Sequence, residues 1–562
     1  MGGRLQITRR EKEGAEAQRW NGNCDIRRGM SRKKMKREQM QMARIMEQEE
    51  AVARKRSPAL DTGAGDEMGN LVGDGKGILP YRLEGVADGS DATGRAGLGL
   101  VVEAMRAFRL EEMVARLLEI KQRQRGFSEA EFVESAVLLM AAGGEHMEDM
   151  EILRQDRGLC RLLGREFPSP DALRDFLMAF HDEALVEQSR QEALRREQRS
   201  YIPCESEALM ALGHVTAEFV RAAAHSEAGK SATLEIDATI IESCKQEAKL
   251  TYEGTRGYQP VLVRWAEQDL IVRDQFRDGN VPAAKDNLPV IQASFEVLPP
   301  WVEHFALRAD SACYEEKILK WLSNIDRPGR THGEKICFSV SADMTVQLRA
   351  ACETVLELEA AASEEKPRWQ MLDDGRYDET VEWSEVEFTP GDWPKEAEPL
   401  RYIVLRFKRR QGDLYPSGER FKYLAVVTNR QEAGDWIVRW HWQKAGGIEH
   451  VHDELKNGLG GGTLPCAAFG ANAAWLRLST LAYNVLSVLR HRALPPDMKN
   501  AKSKRLRFLV FTMAATLTSH AGYVIARIGE WIMKRSGIAT AREILRALRQ
   551  LARRHALPVP AG

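Results

Sequence analysis

Residues 234–243 read LEIDATIIES, an acid set into a run of strand formers. Leu234 and Ile236 suit a buried sheet, which leaves Asp237 as a mid-strand carboxylate that is costly to bury without a cation or a partner. Residues 304–314, HFALRADSACY, repeat the pattern, with Asp310 at the C-terminal end of an apolar strand, where α/β sheets present groups to a crevice. Either aspartate alone reads equally well as a helix cap or half of a salt bridge. The surrounding elements are what join the two.

Working outward, PVLVRWAE (260–267) and DLIVRDQFRDGN (269–280) are further β-rich runs. A helix is expected at about Asn287–Val297, then the Asp310 strand, a helix over Glu315–Ser323, and a strand in KICFSVSA (335–342). The order β-β-β-α-β-α-β is that of an RNase H-like α/β fold, in which the first and fourth strands pair and Asp237 lies beside Asp310.

Residues 1–75 form a basic, largely flexible leader with SRKKMKR at 31–37 and a helix expected over Lys33–Lys55. Residues 76–228 carry helical periodicity and form an N-terminal helical region suited to holding DNA. The core runs over 229–342, is interrupted by an inserted, partly β subdomain at 343–430, and resumes at 431–495. A basic helical region, 496–562, follows. Helices are expected at Phe469–Arg492 and Leu506–Met533, and around Gly447–Asn457 before the glycine stop GLGGG.

The chain has 562 residues, 43% hydrophobic and 29% charged, which is globular composition and excludes a mostly disordered or multi-pass membrane chain. The stretch from Phe508 to Met533 is too broken by polar groups to span a bilayer. The net charge of −1 conceals basic ends, including Arg542, Arg546, Arg549, Arg553 and Arg554, that are suited to phosphate contact. Eight scattered cysteines read as buried, reduced thiols of a cytoplasmic protein.

A third acid is expected on the helix after the insertion. In GIEHVHDELKNG (447–458), Glu449, His452, Asp453 and Lys456 share a face, and Glu454 points away from it, toward the surface. Glu449 and Lys456 fit the Glu-(6)-Lys part of a Tyr-(2)-Arg-(3)-Glu-(6)-Lys signature, with Trp442 at the tyrosine position and Ala445, beside Lys444, at the arginine position. With RDGN (277–280), LRADSA (307–312), LAYNVLSVLRHRALP (481–495) and RLRFLVFTMAA (505–515), the chain resembles the 1380 family of bacterial insertion-sequence transposases, over roughly Gly97–Arg527.

That resemblance implies metal-dependent cleavage and joining of DNA strands at the terminal inverted repeats of a mobile element. It implies Asp237, Asp310 and Glu449 as catalytic metal ligands, with two Mg²⁺ or Mn²⁺ ions per site. It further implies Lys456, Lys444 and Trp442 as DNA contacts, a homodimer on paired ends and target DNA, and a cytoplasmic, nucleoid-associated bacterial protein. A catalytically impaired DNA-binding relic and a nuclease that never joins strands are the alternatives. Trp369, Trp383 and Trp393 are expected to pack in the core, although related enzymes stack an aromatic from this insertion on a displaced base. His450 and His452 face apart on a helix, which argues against a metal pair. GLGGG lacks the flanks of a phosphate-cradling loop.

Overall fold

The computed structural model describes residues 91–121, 125–325, 327, 336–361, 369–373, 379–391, 393–409, 415, 420–529 and 540–555. The basic leader and its expected helix lie outside them.

Nine strands form one sheet: β1 (Ser231–Ala238), β2 (Val261–Trp265), β3 (Leu270–Gln275), β4 (His304–Ala309), β5 (Cys337–Ala342), β6 (Gln370–Asp373), β7 (Glu379–Val386), β8 (Arg401–Arg409) and β9 (Lys422–Thr428). Their spatial order is β6-β7-β8-β9-β5-β4-β1-β2-β3. β1, β2 and β3 make an antiparallel meander, whereas β1–β4 and β4–β5 pair in parallel. Helix α1 (Asn287–Val297) connects β3 to β4, and α2 (Glu316–Leu322) connects β4 to β5. This is the mixed α/β order expected of an RNase H-like core.

The strands of the insertion do not form a sheet of their own. β9 pairs antiparallel with β5, so β6–β9 extend the core sheet past its edge. Covering that edge removes a row of unpaired backbone groups. Trp369 and Trp393 are buried, and the Trp383 ring lies where a Cβ on Gly434 would be, so these tryptophans pack the insertion.

Helix α3 (Gly434–Gly458) crosses the sheet, and α4 (Phe469–Arg492) is buried from Gly470 to Arg490. A helix buried on every side must satisfy its polar side chains internally. Asn484 of α4 does so by accepting from Ile271 N–H and donating to Ile271 C=O, both at 2.8 Å, which closes the free edge of β3. Arg477 of α4 donates to Asp274 at 3.1 Å and to Glu205 at 2.7 Å. The helices Leu98–Ala107, Glu129–Ala142, Pro170–Met178 and Glu207–Ala223 pack on α4 and share one apolar core with the sheet. Ser169 caps the third of these by accepting from Ala172 N–H, with Pro170 in the first turn, as the sequence leads one to expect.

Three expectations need correction. α3 begins at Gly434 and runs unbroken through Gly446 and Gly447. Two mid-helix glycines cost about 1 kcal/mol each, but packing against the sheet outweighs local propensity. The expected helix over Leu506–Met533 is a short helical turn followed by a hairpin, Ala515–His520 paired with Tyr523–Ile528. Its turn places Ala521 and Gly522 at φ of 48° and 80°, the left-handed pair that a two-residue hairpin requires. Cys204 and Cys244 are exposed rather than buried.

Among the described residues no helix is long and apolar enough to cross a membrane.

Candidate active site

The parallel register of β1 and β4 sets Glu235 opposite Arg308 and Ile236 opposite Ala309, so Asp237 and Asp310 are the next neighbours. Successive side chains on a strand alternate in face, hence the two aspartates and the Glu235–Arg308 pair lie on one face, two residues apart. α3 crosses that face.

The inner pair is fully neutralised. Glu235 accepts from Arg308 at 2.7 Å and from Arg264 at 2.8 Å, with no solvent exposure of its own. Arg308 also donates to Trp440 C=O at 2.7 Å and to the Gln443 amide oxygen at 2.9 Å, and lies 5.2 Å from the Trp440 ring. These contacts fix α3 against the sheet. A Cβ on Gly447 would stand 2.5 Å from the Arg264 guanidinium and 2.6 Å from the Glu235 carboxylate, so only glycine permits this approach.

The outer pair is not neutralised. Burial raises the Asp310 pKa first; the neighbouring Asp237 raises it further, while Lys444 and the N–H of Ala312 oppose the rise. Asp310 caps the turn Ser311–Cys313 by accepting from Ala312 N–H at 3.2 Å. Lys444 reaches Asp237 at 3.4 Å. His452 lies 3.7 Å from the other Asp237 oxygen, yet neither of its ring nitrogens has a hydrogen-bond partner. Burial, with Lys456 and Lys444 nearby, pushes the His452 pKa down to about 3, so the imidazole is neutral near pH 7 and does not form an ion pair with Asp237.

The structure therefore gathers Asp237 and Asp310 as expected, but not Glu449 with them. Glu449 is exposed on α3, and among the described residues no three His, Cys, Asp or Glu side chains are grouped so as to hold a metal ion. The reason is rotational: Lys444 and His452 take the arc of α3 facing Asp237, and Glu449 lies about 140° and 60° round the axis from them. Lys444, expected on DNA, instead contacts Asp237. Trp442 is exposed, at 37%. Lys456 is half-buried and donates to Ile240 C=O at 3.3 Å.

Asp453 pairs with Lys502 and Asn457, leaving Lys456 without it. Glu454, expected at the surface, is buried and accepts from Ser503 N–H at 2.6 Å and from its hydroxyl at 2.5 Å. Pointing away from Glu449 directs it into the protein because the chain following α4 packs there.

Sequence reasoning overlooked the contact of His452 with Asp237, although the spacing from Glu449 was visible. It also overlooked Tyr252, 76% exposed and near enough to the acid pair for both aspartates to raise its pKa, behind the leading effects of burial and Glu253. An open cleft of about 710 Å³ continues past the end of β1, lined by Ala238, Ile240, Tyr252, Lys456, Gly462 and Lys504 among others.

The donor chemistry fits a hard divalent cation. Two adjacent carboxylates that repel each other, beside a neutral imidazole with an unpartnered lone pair, are groups a cation would stabilise.

Residues 80–550 match the family described as "Transposase DDE domain group 1". No curated protein matches the chain. Among solved structures, a piggyBac transposase synaptic complex with hairpin DNA, determined by cryo-EM, is similar at 11% identity with a TM-score of 0.39, over 82% of this chain and 86% of that one.

Proposed function

Because the chain belongs to the family of transposases with a group 1 DDE domain, we propose that it cleaves DNA at the ends of a mobile element and joins the freed ends to target DNA, with Asp237, Asp310 and Glu449 as the acidic triad. The observation that carries this reading is the juxtaposition of Asp237 and Asp310 at the ends of two parallel strands, with Lys444 beside them.

In this reading Asp237 and Asp310 hold Mg²⁺ or Mn²⁺, probed as a two-ion site. Bound there, such cations would supply Lewis acidity to a phosphodiester and lower the pKa of an attacking water. The chain's own residues orient the site. Arg308 and Gly447 set the height of α3 above the sheet, and the Asp310 cap fixes one carboxylate. Glu449, exposed and one turn before His452, would be the third acid of the set. Lys444 would be available to a phosphate oxygen, and Lys456 and Lys504 would flank the DNA path along the cleft. Trp442 offers an exposed ring to that path. Duplex element ends and target DNA are the partners, engaged by a homodimer.

The test is cleavage of a terminal-repeat duplex with Mg²⁺ or Mn²⁺ by the native chain and by Asp237→Asn. The amide keeps the shape and loses the charge, so cleavage disappears while binding to the duplex stays nearly intact. Cleavage by the variant at the native rate rejects the assignment.

A second reading, a DNA-binding relic without catalysis, is favoured by one observation: Lys444 lies 3.4 Å from Asp237 and answers part of the charge of the acid pair. It predicts that the native chain binds element ends and cleaves none of them.

A further inference from the structure

Helix α5 (Thr540–His555) is docked through Ile544, Leu548 and Leu551, each at most 5% exposed. Opposite them, Arg542, Arg546, Arg549 and Arg553 are all exposed. Their spacing of four, three and four residues keeps them within an arc of about 60° along roughly 16 Å of helix.

Several exposed helical arginines of this chain are matched to acids one turn away, such as Arg154 with Glu151, Arg174 with Asp171 and Arg190 with Glu187. The four arginines of α5 have no such partner among the described residues. Like charges at these spacings disfavour a helix by a few tenths of a kcal/mol each. Arg542 also stands in the first turn, where the helix dipole opposes a cation. Of the four, only Arg553, in the last turn, is favoured by the dipole. Its apolar face is spent on the protein core, which excludes the insertion that an amphipathic helix needs at a membrane surface.

We infer that this stripe is a second DNA-binding surface, outside the acid site, which takes the phosphate backbone of duplex DNA without reading its sequence. It rests on the DNA-directed reading above and adds a surface to it. A straight row of guanidinium groups can follow successive phosphates of one strand, and each contact made releases a counterion.

The experiment uses the full chain, an unrelated labelled duplex and binding measured across KCl concentrations. The variant with all four arginines changed to Gln should bind at least tenfold more weakly, with a log–log salt slope shallower by about 3.6, since each phosphate contact contributes about 0.9. Arg→Lys at the same four positions should keep the slope within about one of the native value, because a point charge suffices. The double variant R546Q/R549Q, a milder change to the helix, should lose about 2 from the slope. Melting temperatures should not fall in any of the three. An unchanged slope in both Gln variants rejects the surface, as does an equal loss in the Lys variant, which would mean packing rather than charge. Stronger retention of polyglutamate competitor than of duplex would assign the stripe to an acidic protein and also reject it. Failure of the native chain to bind any duplex rejects this inference together with the reading it rests on.

Discussion

Two pairs of side chains, two residues apart on the same strands and under the same helix, are treated in opposite ways. At Glu235 and Arg308 the charges are opposite, a second arginine completes the set, and the carboxylate is sealed from water. At Asp237 and Asp310 the charges are alike, one lysine answers for both, and the adjacent His452 has no hydrogen-bond partner. The inner pair holds α3 in place. The outer pair retains a charge deficit that costs stability and leaves room for a ligand. Position on the sheet does not separate them; the sign of the neighbouring charges does.

The largest expected effect comes from breaking the inner pair. Arg308→Met leaves Glu235 buried with one partner fewer and removes the anchors to Trp440 and Gln443, so unfolding free energy should fall by about 3–5 kcal/mol. Thermal and denaturant unfolding measure this. A loss below about 1 kcal/mol would mean that α3 does not depend on the inner pair. Gly447→Ala comes next. Its Cβ would meet the Arg264 and Glu235 side chains, and overpacking of this kind costs about 1–3 kcal/mol against about 1 kcal/mol of helix propensity gained, a net loss of up to about 2 kcal/mol. A melting temperature raised by the gain in propensity would show that the helix can rise off the sheet freely.

The outer pair should respond with the opposite sign. Burial and Asp237 raise the Asp310 pKa in the folded chain, so the folded state favours the protonated form. The resulting stability is present at low pH and is lost as pH rises through the folded pKa, above the ordinary carboxylate range. Asp310→Asn removes that pH-dependent loss, so without added metal it should stabilise the chain at neutral pH and change it little at low pH. A metal-free variant that melts lower than the native chain at pH 7 would contradict the charge deficit at the site.

The sequence patterns carry the strand order because β1 to β5 are each a clear apolar run between turn residues, and that order alone brings Asp237 beside Asp310. The same patterns could not show which way α3 faces. Gly446 and Gly447 look like a break when read locally; the reason for Gly447 is Arg264 and Glu235, far away in the chain, whereas nothing stands within 4 Å of a Cβ on Gly446. Glu454 looks like a surface acid because Ser503, which satisfies it, belongs to a later helix. Thr516 to Ile528 carries β-branched residues around Ala521-Gly522, yet its hydrophobicity resembles that of a helix because the turn pair is short. Each misreading concerns a group whose partner lies on another element.

The smallest expected effect concerns Lys456, and it tests whether the cleft beyond the outer pair belongs to DNA. Lys456 donates to Ile240 C=O at 3.3 Å, a half-buried contact at the chain leaving β1. If that bond were its whole role, Lys456→Ala would cost about 1 kcal/mol of stability and leave DNA binding alone. If Lys456 also meets a phosphate along the cleft, the substitution should weaken binding to a terminal-repeat duplex and lower the salt slope by about 0.9, one phosphate contact. Lys456→Arg should keep the slope, since charge without exact shape serves a single phosphate. Binding across salt concentrations, with melting curves alongside, separates the two roles. A lower melting temperature with an unchanged slope would confine Lys456 to holding the end of β1 against α3, and the cleft would lose its assigned cation beside the acid pair.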